Sequence, residues 1–234
     1  MPRRVMRLAL LLALLLGSAG CATGASTAPG PAGPPSLADA KRQVSEYVES
    51  GRYDADVAAI VEQARGYLES RAARGGKLAM VLDIDETSLS NLPNLRANDY
   101  GFIVRGPCEL PNGPCGLIAW ITQAEAEPIK PVLALARLAR ERGVAVFFLT
   151  GRPERLRAAT EGNLRSAGYE WTGVILKPDA MRTSSAVEQK AAERKKLVEQ
   201  GYTIVVNIGD QMSDLDGGFA ERTYKLPNPF YFVP

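Results

Sequence analysis

The chain has 234 residues, 46% of them hydrophobic, with 28 basic and 26 acidic side chains and no histidine. That length and apolar content suffice for one sizeable core, and the near-neutral balance lacks the basic block with interleaved aromatics that binding a nucleic-acid polymer requires. The missing imidazole excludes Ser-His-Asp hydrolases, histidine-liganded zinc enzymes and histidine phosphatases together.

At the N-terminus, Arg3, Arg4 and Arg7 precede an apolar run from Leu8 to Leu16 and the small residues Gly17, Ser18, Ala19 and Gly20. This is the layout of an export signal over residues 1–20, and its apolar run is shorter than the roughly 20 residues a membrane span needs. Cys21 follows directly. The segment is compatible with a lipoprotein anchored to the outer membrane through acylated Cys21, although Ser18 stands where the lipoprotein box usually carries Leu, and with cleavage after Ala19 to a periplasmic or secreted protein. Loss of residues 1–20 lowers the formal charge of +2 by three, to −1. Residues 22–35 are Ala, Thr, Ser, Gly and Pro, so 21–36 reads as a lipidated or flexible tether, and a single domain is expected over 37–234.

Within that domain, helical apolar spacing runs from Leu37 to Ser50 and from Tyr53 to Ala73, punctuated by Gly51 and Gly75-Gly76. A continuous apolar run, Leu78 to Leu82, then reads as a strand covered on both faces. It ends in Asp83-Ile84-Asp85, whose two carboxylates a strand period of two would turn to one side. From Ser88 to about Glu127 the sequence is irregular, an insertion of a length that is unusual unless functional. It reads as a small loop-rich cap and contains Cys108 and Cys115, an even pair suited to a disulfide in an oxidising compartment. Tyr100, Phe102 and Trp120 fall in the same region. All three are candidates to stack on a nucleoside or aryl group, with Trp120 taken forward as the substrate-binding residue; the packing of a small cap uses the same residue types.

Beyond Lys130 the pattern is regular: helix to Arg142, strand Val144–Leu149, helix Pro153–Ala167, strand Gly173–Leu176, helix Ser185–Gln200 and strand Thr203–Ile208. Such alternation predicts an α/β fold, a doubly wound, mostly parallel Rossmann-like sheet with N-terminal helices. Ligands of these sheets bind beyond the carboxyl ends of the strands, where the chain places Asp83 and Asp85, then Thr150-Gly151-Arg152, then Lys177, then Asp210 to Asp214. Converging carboxylates need a neutralising ion, and the all-oxygen set Asp83, Asp85, Asp210 and Asp214 suits a hard cation such as Mg2+. Thr150, with Pro153 positioned to start a helix, would offer a hydroxyl and backbone N–H groups to an anion. Lys190 and Lys177 are rival cations for that anion.

Several motifs carry a family resemblance: Asp83-Ile84-Asp85-Glu86-Thr87, Phe148-Leu149-Thr150-Gly151-Arg152, Lys190, Asn207 to Leu215, and Lys225 to Tyr231. The chain resembles the haloacid dehalogenase superfamily of aspartate-nucleophile phosphatases, specifically the subfamily IIIB acid phosphatases of the bacterial lipoprotein and plant vegetative storage protein types. The resemblance implies that Asp83 attacks phosphorus and that Asp85 acts as acid, then base. It also implies that Thr150, Gly151 and Lys190 bind the phosphoryl group, and that Asp83, the Asp85 carbonyl, Asp210 and Asp214 organise magnesium. The substrate would be a small phosphate monoester, nucleotides among them. Asp85, crowded by carboxylates, is expected to have a raised pKa and to give an acidic optimum. A storage or binding protein on the same fold and a phosphotransferase using the same residues are the alternative readings.

Overall fold

A computed structural model describes residues 35–180 and 185–233. The expected export signal, Cys21 and nearly all of the tether lie outside the described residues. Contacts set apart one compact unit beginning at Ser36, and no helix among the described residues is long and apolar enough to cross a membrane.

Two helices open the unit. The first, α1 (Leu37–Glu49), is capped by Ser36, whose hydroxyl accepts from the Asp39 backbone N–H. In α2 (Arg52–Ala72), the buried residues Tyr53, Val57, Val61, Ala64 and Leu68 recur every three or four positions and make one apolar stripe. Strand β1 (Leu78–Leu82) is buried throughout. The insertion that follows is partly ordered into β2 (Leu89–Ser90), α3 (Leu92–Ala97), the hairpin β3 (Cys108–Glu109) and β4 (Asn112–Cys115), α4 (Leu117–Gln123) and β5 (Glu127–Pro128). Cys108 and Cys115 face each other across the hairpin and are joined as a disulfide.

The remainder alternates. Helix α5 (Lys130–Glu141) leads to β6 (Ala145–Pro153), a 3-10 turn over Glu154–Leu156, α6 (Arg157–Ser166), β7 (Gly173–Lys177), α7 (Ala186–Glu199), β8 (Thr203–Gly209), α8 (Met212–Leu215) and β9 (Arg222–Lys225). All pairings in the main sheet are parallel, in the order β7-β6-β1-β8-β9. The expected doubly wound α/β architecture is therefore present, with one strand, β9, beyond those read from the sequence. Its residues, Arg-Thr-Tyr-Lys, are largely exposed, so this edge strand lacks the apolar run that marks the inner ones.

Alternation along β1 assigns the two faces. Leu78, Met80 and Leu82 join the core under α2 and α5, whereas Ala79 and Val81 join Phe147, Leu149 and Ile204 against Leu197 of α7. Each fully buried Leu or Val contributes about 1.5–3 kcal/mol, so a one-residue slip of β1 would exchange both layers at once. The next residue on the α7 face is Asp83. Because the chain steps outward from β1 to β6 and β7 and then returns to the other side at β8, the topological switch lies between β1 and β8. A binding crevice is expected there.

Candidate active site

Asp83 and Asp210 leave the adjacent strands β1 and β8 at this switch. The β8 end turns directly into α8, where Gln211 and Asp214 form a reciprocal capping box. Gly209 allows the turn to close: a Cβ there would lie 2.2 Å from the Asp214 Cβ. As a result, carboxylate oxygens of Asp83, Asp210 and Asp214, all buried, come within 4.8 Å of one another. Lys190 enters from the first turns of α7, on the face that β1 shares with Asp83. Its Nζ donates to Asp83 Oδ1 at 2.5 Å and to Asp214 Oδ1 at 2.5 Å. Lys177, the rival by position, ends β7 and does not line the cavity described below.

Electrostatics follow from this crowding. Burial raises the Asp83 pKa; Lys190 opposes the rise, and Asp214, Asp210 and Asp85 reinforce it. Asp210 is pushed up to about 6 by burial and by Asp214, against hydrogen bonds from Asn228 and Gln211. Burial disfavours the Lys190 charge, but Asp83 and Asp214 outweigh it and raise the pKa of the ammonium. Three buried carboxylates and one ammonium leave an excess of negative charge and only oxygen donors, which fits a hard divalent cation.

Asp85 lies in a different setting. Its carboxylate is gripped by Arg152, Nη2 to Oδ1 at 2.7 Å and Nε to Oδ2 at 3.0 Å, and accepts from Asn91 Nδ2 at 2.9 Å. Its carboxylate is not part of the three-acid cluster. The expectation of a raised pKa is reversed here: burial does push it up, but the Arg152 charge and the hydrogen bonds from Arg152 and Asn91 hold it below the ordinary value. Glu86, next in sequence, adopts a left-handed φ of 51°, a conformation that is costly outside glycine. It is held there by the Asn91 backbone N–H at 2.7 Å and by the Tyr231 hydroxyl.

Thr150 is buried and Gly151 exposed on β6, and both line the cavity. The expected helix start at Pro153 is corrected: β6 continues through Pro153, and α6 begins only at Arg157 after the 3-10 turn. That extension carries Arg152 inward to Asp85. Trp120 is 3% exposed in α4, donates Nε1–H to Asn91 Oδ1 at 2.9 Å and does not line the cavity, a placement that supports the residue holding Asp85.

Two further residues escaped the sequence reading. Asn91 joins Trp120, Asp85 and Glu86. Arg194 is fully buried, donating to the carbonyls of Asp214 at 2.6 Å, Gly218 at 2.9 Å and Asp216. The Arg194-Lys195-Lys196 run reads as a solvated face, but Arg194 lies four residues after Lys190 and therefore on the same side of α7. That spacing was the available signal.

Asp83, Asp85, Thr150, Gly151, Arg152, Lys190, Asp210 and Asp214 open onto one cavity of about 310 Å3. Residues 35–234 match the family described as HAD superfamily, subfamily IIIB (acid phosphatase). Among curated proteins, acid phosphatase 1 of Solanum lycopersicum is 34% identical over 193 residues, covering 81% of this chain and 73% of its own. The stem 28 kDa glycoprotein of Glycine max is 36% identical over 192 residues, 80% and 72% respectively, and vegetative storage protein 2 of Arabidopsis thaliana is 33% identical over 201 residues, 84% and 73%. The class C acid phosphatase from Bacillus anthracis with tungstate bound superposes with a TM-score of 0.65 at 24% identity, covering 82% of this chain and 86% of that one, a likeness of fold. With a family match spanning the whole described unit, the chain belongs to the haloacid dehalogenase superfamily, subfamily IIIB, and is an acid phosphatase acting on phosphate monoesters.

Proposed function

We propose that the protein is an exported, magnesium-dependent acid phosphatase that works through an aspartyl-phosphate on Asp83. The observation that carries this reading is the position of Asp83: a buried carboxylate at the β1 terminus, on the cavity floor, with one ammonium and two further carboxylates around it. Phosphate monoesters resist hydrolysis so strongly that a nucleophile, a leaving-group acid and charge neutralisation must all be supplied.

Asp83 Oδ attacks phosphorus as the P–O bond to the alcohol breaks, and Asp85 gives its proton to the departing oxygen. Water then attacks the phosphorus of the aspartyl-phosphate, Asp85 takes back a proton, and inorganic phosphate leaves with the Asp83 carboxylate restored. Lys190, Thr150 and Gly151 bind the phosphoryl oxygens. Arg152 and Asn91 hold Asp85 in place between the two steps, so its side chain moves only a proton. Asp83, Asp210 and Asp214, with the Asp85 backbone carbonyl, would hold Mg2+, which supplies positive charge that lets an anionic nucleophile meet an anionic ester. Because Arg152 lowers the pKa of Asp85, the acid form needed for the first step is favoured at acidic pH.

Export is supported by the basic-then-apolar layout of residues 1–20 and by the Cys108–Cys115 disulfide, which suits an oxidising compartment. Acylation of Cys21 would place the protein on a membrane, and the intact mass of membrane-extracted protein reads this directly. The names of the plant relatives support a second reading, a storage protein on this fold.

The deciding experiment is p-nitrophenyl phosphate hydrolysis with Mg2+, with chelator, and in Asp83→Asn. The proposal expects metal-dependent turnover that falls by at least about 10⁴-fold in the variant. Equal turnover in the variant rejects the nucleophile, and no turnover from folded, metal-loaded protein moves the assignment to storage.

A further inference from the structure

The cavity has a charged floor and apolar walls. Away from Asp83 it is bounded by the insertion, the turn after β6 and the C-terminal segment, which contribute Val104, Leu117, Ile118, Ile121, Leu156 and Val233. All six are aliphatic. Phe102, also in the lining, packs on Tyr231 with ring centroids 4.6 Å apart. Phe102 and Val104 are 46% and 44% exposed at this mouth, and grouped apolar side chains left in water beside a cavity mark a surface that a ligand covers.

Apart from Ser213, the polar side chains of the walls are already engaged. Arg155 pairs with Asp179 at 2.7 Å, Gln211 donates to Asp210 at 2.8 Å, Arg152 holds Asp85 and the Tyr231 hydroxyl is bonded to Glu86. A sugar hydroxyl could recruit Gln211, Arg152 or the Tyr231 hydroxyl only by competing with its present partner, and the Arg155–Asp179 pair, with side chains 58% and 46% exposed, is the one that water already competes for. A methylene entering the same space gains burial at no such loss. Among the described residues, hydrogen-bonding capacity is concentrated on the floor, where the phosphoryl group is placed.

We propose that the alcohol half of the substrate is apolar, an alkyl or aryl group without hydroxyls, and that the enzyme selects phosphate monoesters of such alcohols over those of sugars and nucleosides. This inference rests on the assignment of the Asp83 floor as the phosphoryl site. It adds the specificity-determining role of the aliphatic wall.

The test compares kcat/KM of the full-length protein for butyl, hexyl and octyl phosphate and phenyl phosphate with values for glucose 6-phosphate and adenosine 5′-monophosphate. The expected result is a rise of about two- to fourfold per methylene until the chain outgrows the cavity, with apolar esters preferred by about tenfold or more. A gain for phenyl phosphate without a chain-length slope supports an aryl group; a slope without that gain supports an alkyl one. In Ile118→Asn the slope should flatten. Turnover of every ester with no slope and no phenyl preference, or with the sugar or nucleoside preferred, overturns this inference and leaves the phosphatase mechanism standing. Calorimetric binding of butyl-, hexyl- and octylphosphonate to the same protein gives a readout independent of turnover. Affinity that tightens with chain length supports the apolar site even in the absence of hydrolysis, which would instead reject the mechanism. Affinity independent of chain length overturns it.

Discussion

Asp83 and Asp85 are two residues apart, yet they occupy opposite electrostatic halves of the cavity floor. Around Asp83, three buried carboxylates share one ammonium and the Asp83 pKa is driven up. Around Asp85, a bidentate guanidinium and an amide converge on one carboxylate and the pKa is driven down. The first half is short of positive charge and suited to receive a cation. The second is balanced and held from three sides. Residue type and spacing are the same in both halves, so the difference lies in what the neighbouring elements deliver: α7 brings Lys190 to one, and the extended end of β6 brings Arg152 to the other.

Removing each half's own cation should separate their roles. Lys190→Met leaves Asp83 and Asp214 buried without their shared partner, and one-sided removal of a buried ion pair costs about 3–5 kcal/mol. The metal-free variant should lose that much stability in urea denaturation, added Mg2+ should restore part of it, and turnover should drop by about 10³-fold. Arg152→Gln tests the other half. Arg152 favours the charged form of Asp85, so without it the carboxyl keeps its proton to higher pH. The alkaline limb of the kcat/KM profile should therefore move up by about one to two pH units. An unmoved limb would exclude Asp85 as the titrating acid.

The two halves were unequally legible in the sequence. The Asp83 half lies at strand ends, and apolar runs terminating in Asp83 and Asp210 locate those ends from residue pattern alone. Lys190 was a candidate among several cations, and only the family resemblance singled it out. The Asp85 half depends on features without a periodic signature. Arg152 reaches inward because β6 runs past Thr150 to Pro153, and no apolar residue marks that extension. Asn91 and Glu86 act through a left-handed turn and side-chain hydrogen bonds, which residue spacing does not encode. The edge strand β9 went unread for a related reason, since its side chains face water. Trp120 marks the limit of composition, because an aromatic residue in a cap looks the same whether it packs or stacks.

Metal-free stability offers a subtler probe of the negative half and its surroundings. Glu86 is raised from 4.5 to about 8, mainly by burial with Asp85 adding, and Asp210 from 3.8 to about 6, mainly by burial with Asp214 adding. The folded protein therefore holds protons that the unfolded chain has released. The stabilisation from these two groups should be fullest below about pH 4 and be lost as pH rises through 6 and then 8, on the order of several kcal/mol in total, against the opposite contribution of Asp85. Urea midpoints at pH 5 and pH 8 in chelator measure the fall. Glu86→Gln should remove its upper part, and saturating Mg2+ should reduce the part due to Asp210.

The smallest effect discriminates most finely between packing and binding. Trp120→Phe keeps most of the apolar volume and deletes the N–H that donates to Asn91 Oδ1 at 2.9 Å. The exposed cost is one unsatisfied buried oxygen, about 1 kcal/mol, or roughly 2–4 °C in Tm for a domain of this size. Asn91 also holds Asp85 at 2.9 Å, so loosening it should lower kcat by about threefold through the acid and leave KM for aryl and alkyl esters nearly unchanged. A stacking tryptophan would behave in the opposite way, raising KM for aryl phosphates selectively while sparing kcat. The kcat-to-KM split of this one variant therefore decides whether Trp120 belongs to the Asp85 half or to the substrate wall.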